Sequence, residues 1–358
     1  MTTSILAILC LVAGPGVSQE QAAEQATPLS SATVAGHFEF EPQLLQALKA
    51  TATDDRARAA FLLGQIGNPR VADSLAKLLS DPARDVRLHA GIALCALQDA
   101  RGLDAARAAL VGTSLWLRYY AASALAALGT EEARAALRAS LPDQAEFLAQ
   151  HIVVSLAAAP RAPVEAVPVV DPQKAKAMSA EDVFMWASDV YVVLTDVYWH
   201  EGDYDSCVRC NETIVFLDPG YVEVYDNSRW LLWSMGRDNE AIEVDERAIA
   251  HNPDSWEAYF NLGFHYFNTQ RYAQAKPLLK RAVELGAPAL KQHSYCHVLE
   301  RLGDPKAALA EWERLRKQFP DDAVVVPNIE RLKAVIEGRA VPQGPAAPSG
   351  EETPGRQI

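Results

Sequence analysis

The sequence is poor in several features that mark particular classes of protein. Its 358 residues include only 5 cysteines, and these follow no regular disulfide-like spacing. The 33 Lys and Arg residues are outnumbered by 46 Asp and Glu residues, which gives a net charge of −13. A phosphate backbone would mostly be repelled by such a chain, so nucleic acid is not an expected partner.

Motifs that carry enzyme chemistry are also missing from the sequence. It has no glycine-rich phosphate loop, no nucleophile elbow and no Ser/His/Asp set at a familiar spacing. Its acidic residues are plentiful but scattered, so no pair stands out as a general acid and base. We therefore expect a non-enzymatic protein without a cofactor. The length allows two or three domains, and 49% hydrophobic with 22% charged residues is typical of soluble globular proteins.

The N-terminus is the only apolar stretch that suggests targeting. Residues 1–18 combine a short apolar run, Ile5 to Val12, with small residues at Gly16 and Ser18, which predicts a signal peptide and a periplasmic or secreted protein. The run is shorter than the ~20 residues that cross a bilayer, so no stable membrane span is expected. If the segment is not cleaved, the chain would be membrane-anchored or cytoplasmic.

Three other segments have compositions that do not favour a packed core. Residues 19–37 are expected to be flexible, and the proline-rich residues 160–178 to form an extended linker. Residues 338–358 are rich in proline and glycine and are expected to be disordered.

The first of two internal repeats has a period of 31 residues, marked by Arg56, Arg87 and Arg118. Each arginine opens a segment with Ala and Leu at helical spacing, and a second apolar helix follows after a short turn. Small residues between the leucines allow neighbouring helices to approach closely and stack as a solenoid. The pattern resembles HEAT-like repeats of the phycobilisome-lyase type over residues 38–159, with half-repeats at both ends. In such arrays the arginine usually pairs with an acidic residue of the adjoining repeat, for which Asp54, Asp55 and Asp85 are available; the alternative is an anion-binding ladder.

The second repeat has a period of 34 residues. Its clearest unit has aromatic, leucine and small residues at fixed offsets: Tyr259, Leu262, Gly263, Tyr266, Ala275, Leu279 and Ala282. This pattern resembles the tetratricopeptide (TPR) repeat, with four units near residues 188–221, 222–255, 256–288 and 289–320. The array would span residues 179–337, opening on a capping box at Ser179 and closing with a capping helix. The predicted fold is all-α, with two α-solenoids joined by the proline-rich linker.

Two small clusters have the spacing of reactive or metal sites. Cys207 and Cys210 have redox spacing, but Cys207 occupies a position that is Ala in the sister repeats, so we expect buried packing thiols. His293 and His297 lie one helical turn apart, which is a ligand spacing for zinc. Two ligands alone make a weak site, and we expect a surface pair without a metal.

The concave face of the TPR array is the expected binding surface. In each repeat, Tyr and Leu side chains on one side of the first helix pack against the second helix. Helical periodicity places on the concave face the residues that lie beside those packing positions: Asp196, Trp199, Asn227, Trp230, Trp233, Glu257, Phe260, Asn261, Phe264 and Phe267. The tryptophans and phenylalanines are not required by packing within a repeat, and exposed aromatics mark binding sites. In related arrays, asparagines such as Asn227 and Asn261 hold a peptide backbone. The lysines and arginines of a carboxylate clamp are missing from this face.

These features predict a scaffold or adaptor that binds another protein or an extended peptide. An acidic, aromatic groove favours a partner with apolar anchors and some positive charge. The alternative is an accessory or lyase-like HEAT-repeat protein, in which the Ala-rich array acts on a bound protein or small molecule.

Overall fold

The computed structural model describes residues 34–112, 114–144, 146–157 and 171–339. The predicted signal peptide, most of the predicted linker and almost all of the predicted disordered tail lie outside these residues. Within them the chain forms eighteen α-helices and no strand, so the all-α class is confirmed. No helix among these residues has both the length and the apolar character needed to cross a membrane.

The N-terminal repeats fold as pairs of short helices. Their bounds are α1 Glu41–Ala47, α2 Thr53–Ile66, α3 Ala72–Lys77, α4 Arg84–Ala96, α5 Leu103–Leu110, α6 Leu115–Leu128, α7 Glu131–Ser140 and α8 Glu146–Ala157. Short 3₁₀ turns precede or follow several of them, for example Pro69–Val71 and Ala100–Gly102. The predicted half-repeats at both ends correspond to α1 and α8.

The helices that follow are longer and more regular. Their bounds are α9 Pro172–Ala177, α10 Ala180–Glu201, α11 Tyr204–Leu217, α12 Val222–Ser234, α13 Asp238–His251, α14 Trp256–Asn268, α15 Tyr272–Glu284, α16 Ala289–Arg301, α17 Pro305–Gln318 and α18 Val325–Ile336. The predicted capping box opens α10: Asp182 N donates to Ser179 Oγ at 3.1 Å, and Ser179 N donates to Asp182 Oδ2 at 2.7 Å. The predicted capping helix corresponds to α18.

Small residues bring neighbouring helices of the N-terminal repeats into close contact. A Cβ atom added to Gly91 of α4 would lie 2.3 Å from the Ala105 Cβ of α5 and 3.0 Å from the Gly102 carbonyl oxygen. Gly64 of α2 approaches Ala93 of α4 in the same way, at 2.7 Å. A Cβ at either glycine would therefore push the helices apart, since protein interiors have no spare volume at such distances.

The three periodic arginines have structural partners. Arg56 forms a bidentate pair with Asp81 of the next repeat, at 2.8 and 3.0 Å, and also donates to the carbonyls of Ala50 and Thr51. Arg87 donates to the carbonyls of Asp81 and Pro82. Their structural role is thus confirmed.

The partners of these arginines differ from the predicted ones. Arg118 donates to the Gly112 carbonyl and not to a carboxylate. The proposed partners Asp54, Asp55 and Asp85 were wrong, because each arginine reaches back to the carbonyls five or six residues before it. Each arginine therefore holds the loop that precedes its own helix.

The chain divides into two compact units, Met1–Tyr221 and Val222–Ile358, here called the N-terminal and C-terminal units. The N-terminal unit includes α10 and α11, which the sequence assigned to the first TPR unit. Phe216 of α11 packs among rings of the HEAT-like helices: it stacks on His89 at 4.7 Å and lies 5.7 Å from Phe61. The Tyr120 hydroxyl is 2.9 Å from Thr213 Oγ1.

The N-terminal extension of α10 also packs on this array. Trp186, which precedes the predicted start of the first TPR unit, lies 4.6 Å from the ring of Phe40. The boundary between the two compact units thus lies after α11 and not at the proline-rich segment. The predicted domain limits stay predictions.

Candidate functional site

The candidate groove face of the C-terminal unit is formed by α12 and α14, which pack against each other. Residues 34 apart occupy equivalent positions on the two helices, so Trp230 corresponds to Phe264 and Trp233 to Phe267. On each helix these positions are three residues apart and share one face. The same period aligns Asn227 with Asn261.

Trp230 and Trp233, here called the tryptophan pair, remain accessible. Their exposed fractions are 46% and 40%, which are large values for indole side chains in a folded helix. The rings of Trp233 and His265 are perpendicular, with their centres 6.0 Å apart. Asn227, one turn before Trp230, is exposed as well. An apolar ring with an N–H donor beside an exposed amide is well suited to contact a partner.

The phenylalanines of α14 form a stack instead of an exposed patch. Phe260 and Phe264 are 5.2 Å apart and Phe264 and Phe267 are 6.1 Å apart, each pair at 16°. Phe260 is 5% exposed, and Phe264 and Phe267 are partly buried against the core of the C-terminal unit. The Lys291 Nζ lies 4.6 Å from the centre of the Phe260 ring. Phe260 thus packs beneath the exposed side chains of the face and has little accessible surface for a partner.

Several acidic residues of this face are paired inside the unit. Asp226 binds Arg229, and Glu257 Oε2 accepts from Ser255 Oγ at 2.8 Å. Outside the face, Glu300 of α16 accepts from Arg331 Nη2 at 2.7 Å. Burial alone would raise the pKa of Glu300, but hydrogen bonds from His297 and Arg331 outweigh it and hold that pKa below its usual value. The acidic surface available to a partner is therefore smaller than a count of residues indicates.

The histidine pair of α16 differs from its prediction as a surface pair. His293 is buried, and its Nε2 lies 2.7 Å from Asp322 Oδ2. His297 is half-exposed, with Nδ1 3.6 Å from Glu300 Oε1. Each imidazole thus has its own carboxylate. Among the residues that the structure describes, no group of three or more His, Cys, Asp or Glu side chains is arranged to hold a metal ion.

Asp196 and Trp199, the other two predicted groove residues, belong to the N-terminal unit. Asp196 is exposed and lies 3.7 Å from His200 Nδ1. Trp199 is 43% exposed and packs beside Tyr204 at 5.5 Å.

The two cysteines with redox spacing are buried free thiols, as predicted. Burial raises the pKa of Cys207 and that of Cys210 to about 11. A thiol with such a pKa is almost entirely protonated at pH 7 and is a poor nucleophile.

A buried carboxylate of the C-terminal unit escaped the sequence analysis. Asp245 of α13 is fully buried, lies 3.4 Å from Arg229 Nε, and neither of its carboxylate oxygens has a hydrogen-bond partner. Burial raises the pKa of Asp245 well above its ordinary value, and the nearby Arg229 opposes this only in part. The sequence did indicate this burial, because Asp245 shares a helix face with Ala241 and Ala248, which are packing positions of the repeat.

A second feature that the sequence does not indicate is an open-sided cavity of about 320 Å³ in the N-terminal unit. It is bounded by four helices of the HEAT-like array and by α11. Its lining residues are Gln65, Ile92, Ala96, Tyr119, Tyr120, Ser123, Ala124, Ala126, Ala127, Ser155 and Arg209. We call it the Arg209 cavity, after the one charged side chain among its described lining residues.

Beside the cavity, Ser123 Oγ lies 2.8 Å from His151 Nε2. Burial, and secondarily the positive charge of Arg209, lower the pKa of His151 to about 4, so the ring is neutral at pH 7. Ser123 Oγ also donates to the Tyr119 carbonyl at 3.1 Å, which commits its proton to the helix backbone. A hydroxyl bonded in this way is not activated as a nucleophile.

Models of two repeat families match the sequence. A model of HEAT repeats matches residues 41–114 and 73–157, and a model of the tetratricopeptide repeat matches residues 232–290. The chain carries HEAT repeats followed by a tetratricopeptide repeat. Both families expected from the sequence are thereby confirmed, and the tryptophan pair lies at the start of the matched TPR segment and just before it.

Comparison with curated proteins gives no match. Among solved structures, the chain is similar to the MamA protein, with 24% identity, a TM-score of 0.36, and coverage of 42% of this chain and 82% of that one. It is also similar to YrrB, described as a TPR protein with an unusual peptide-binding site, with 19% identity, a TM-score of 0.34, and coverage of 42% and 78%. For MamA from Desulfovibrio magneticus RS-1 the identity is 18%, the TM-score 0.32, and the coverage 38% and 78%.

Proposed function

We propose that this protein is an interaction scaffold that binds an extended segment of another protein on the face formed by α12 and α14. The observation that carries the proposal is the exposure of the tryptophan pair, 46% for Trp230 and 40% for Trp233, on a helix whose leucines, Leu231 and Leu232, are buried. Exposed tryptophans cost solubility and, when clustered, mark surfaces that a partner covers. The match to the tetratricopeptide family supports a protein-interaction role in general terms.

The chemistry of the face indicates the kind of segment that it would take. The indole rings offer flat apolar surface for one or two large apolar side chains, and their N–H groups can donate to a peptide carbonyl. The amides of Asn227 and Asn261 recur one repeat apart and can pair with the backbone of an extended chain. Basic residues in the segment would be favoured by the net negative charge of the chain and by cation–π contact with the indoles.

A peptide selection on the full-length protein tests this proposal. A library of random extended peptides is panned against the wild-type chain, and the enriched peptides are then measured against a Trp230→Ala/Trp233→Ala variant. We expect enriched peptides to carry large apolar residues and to bind the variant at least about tenfold more weakly, since buried tryptophans dominate interface energies.

A matched control removes exposed apolar surface elsewhere in the same unit. Leu290 on α16 is 71% exposed, so Leu290→Ala should leave peptide affinity unchanged. The proposal would be abandoned if no peptide were enriched, or if the enriched peptides bound the double variant as well as the wild type.

A further inference from the structure

The Arg209 cavity holds a cation that has no carboxylate partner among the residues whose placement is described. The Arg209 side chain lies against aromatic rings, with its guanidinium carbon 4.6 Å from the centre of the Tyr119 ring and 5.4 Å from that of Tyr198. Its Nε is buried and has no hydrogen-bond partner, and no described carboxylate pairs with it. A guanidinium is charged at every physiological pH, so this site carries a permanent positive charge.

The unsatisfied Nε donor of Arg209 has an energetic consequence. A buried charged donor without an acceptor is costly, and cation–π contacts use the faces of the guanidinium but not its N–H edge. The edge donors lie in the plane of the group, where a carboxylate could accept two parallel hydrogen bonds. The arrangement therefore leaves the buried Nε–H without an acceptor from the part of the chain that the structure describes.

The other lining residues of the cavity indicate which chemical groups a ligand would need besides an acceptor for Arg209. No Asp or Glu is among its described lining residues, although the charge of Asp203 acts on Tyr119, which is one of them. Hydroxyls of Ser123 and Ser155 and the amide of Gln65 add polar contacts, while Ile92 and a group of alanines form an apolar wall. A volume of about 320 Å³ is at the small end of ligand sites.

We propose that the Arg209 cavity binds a small organic anion, with its carboxylate on the guanidinium edge of Arg209 and its apolar body against the alanine-rich wall of α6. This site is independent of the proposed peptide face, which belongs to the C-terminal unit. The low pKa of His151 is consistent with a positive potential around the site, because the charge of Arg209 contributes to it.

Calorimetric titration of the full-length protein with matched probes tests the assignment. The probes are 4-phenylbutyrate, its neutral analogue 4-phenylbutanamide, and inorganic phosphate. We expect 4-phenylbutyrate to bind at least about tenfold more tightly than the amide, which lacks the charge, and than phosphate, which lacks the apolar body. Equal binding of acid and amide, stronger binding of phosphate, or no binding of 4-phenylbutyrate would overturn the proposal.

Three variants locate the binding. Arg209→Met should weaken 4-phenylbutyrate at least about tenfold, and the matched control Arg107→Met, at a residue 57% exposed on α5, should not. Ala126→Phe fills the cavity without changing its charge and should also prevent binding, so the proposal can still be tested if Arg209→Met does not fold. Unchanged binding by either cavity variant would show that the probe binds elsewhere.

Discussion

Asp245 shows how a single buried charge makes stability depend on pH. Its carboxylate is fully buried in α13 with only Arg229 nearby, and burial raises its pKa in the folded state. A carboxyl whose pKa is higher in the folded than in the unfolded state stabilises the fold most when it is protonated. That contribution is complete below about pH 4, the unfolded value, and is lost as the pH rises toward the folded value.

We therefore expect Asp245→Asn to become more stable relative to the wild type as the pH increases. The amide keeps the shape of the side chain and removes the charge that burial disfavours. Urea unfolding at a series of pH values between 4 and 8 measures the difference. The control is Asp254→Asn, at an exposed position, which should follow the wild-type curve. Parallel curves for the wild type and Asp245→Asn would contradict the assignment.

The aromatic residues of the candidate groove show what sequence reasoning can and cannot reach at this scale. The 34-residue period placed Trp230, Trp233 and the phenylalanines on one class of position, and the two tryptophans are indeed exposed. Period alone could not separate them from Phe260, whose ring is buried in a stack. Whether a groove position is covered depends on which side chains of the next helix reach it, and repeat alignment carries no such information.

At the scale of helices, close packing between α4 and α5 depends on Gly91. Its missing Cβ leaves room for the Ala105 methyl and the Gly102 carbonyl of the neighbouring segment. The 31-residue period and its small residues predicted close approach in general, but they did not say which glycine lies at the contact.

We expect Gly91→Ala to destabilise the N-terminal unit by about 1–3 kcal/mol, because the new methyl cannot be accommodated without moving a helix. The free energy of unfolding in urea measures this. Adding Ala105→Gly removes the nearest clashing atom, 2.3 Å from the new Cβ, and should restore part of the loss. A change below about 0.5 kcal/mol, which is typical of surface substitutions, would contradict the packing argument.

At the scale of the whole molecule, the helix pair α10–α11 belongs to the compact unit of the HEAT repeats. Phe216 and Trp186 fill aromatic contacts with the array, and Tyr120 is bonded to Thr213. The sequence pointed to a division at the proline-rich segment, because composition there changes sharply. The composition of a segment indicates whether it can form an extended linker. The division into compact units depends instead on which apolar helix faces pack against each other.

A comparison of fragments tests this arrangement. We expect residues 34–221 to unfold cooperatively, and residues 34–170 to have a lower urea midpoint and to bind a hydrophobic dye, since the latter fragment exposes the rings that Phe216 covers. Size-exclusion chromatography reports whether the shorter fragment also associates. If the shorter fragment were as stable as the longer one, α10 and α11 would contribute little to the unit.

The sequence by itself determined the helical class, the two repeat families and the positions of most helices, because periodic spacing of small and apolar residues is a local property. Only the tertiary structure decided that the arginines hold loops, that Asp245 is buried and that Arg209, which has no carboxylate partner in the described part of the chain, borders a cavity. Those outcomes depend on contacts between helices distant in sequence. In a repeat array, residues with the same local pattern can lie on an exposed face, in a packed core or beside a cavity.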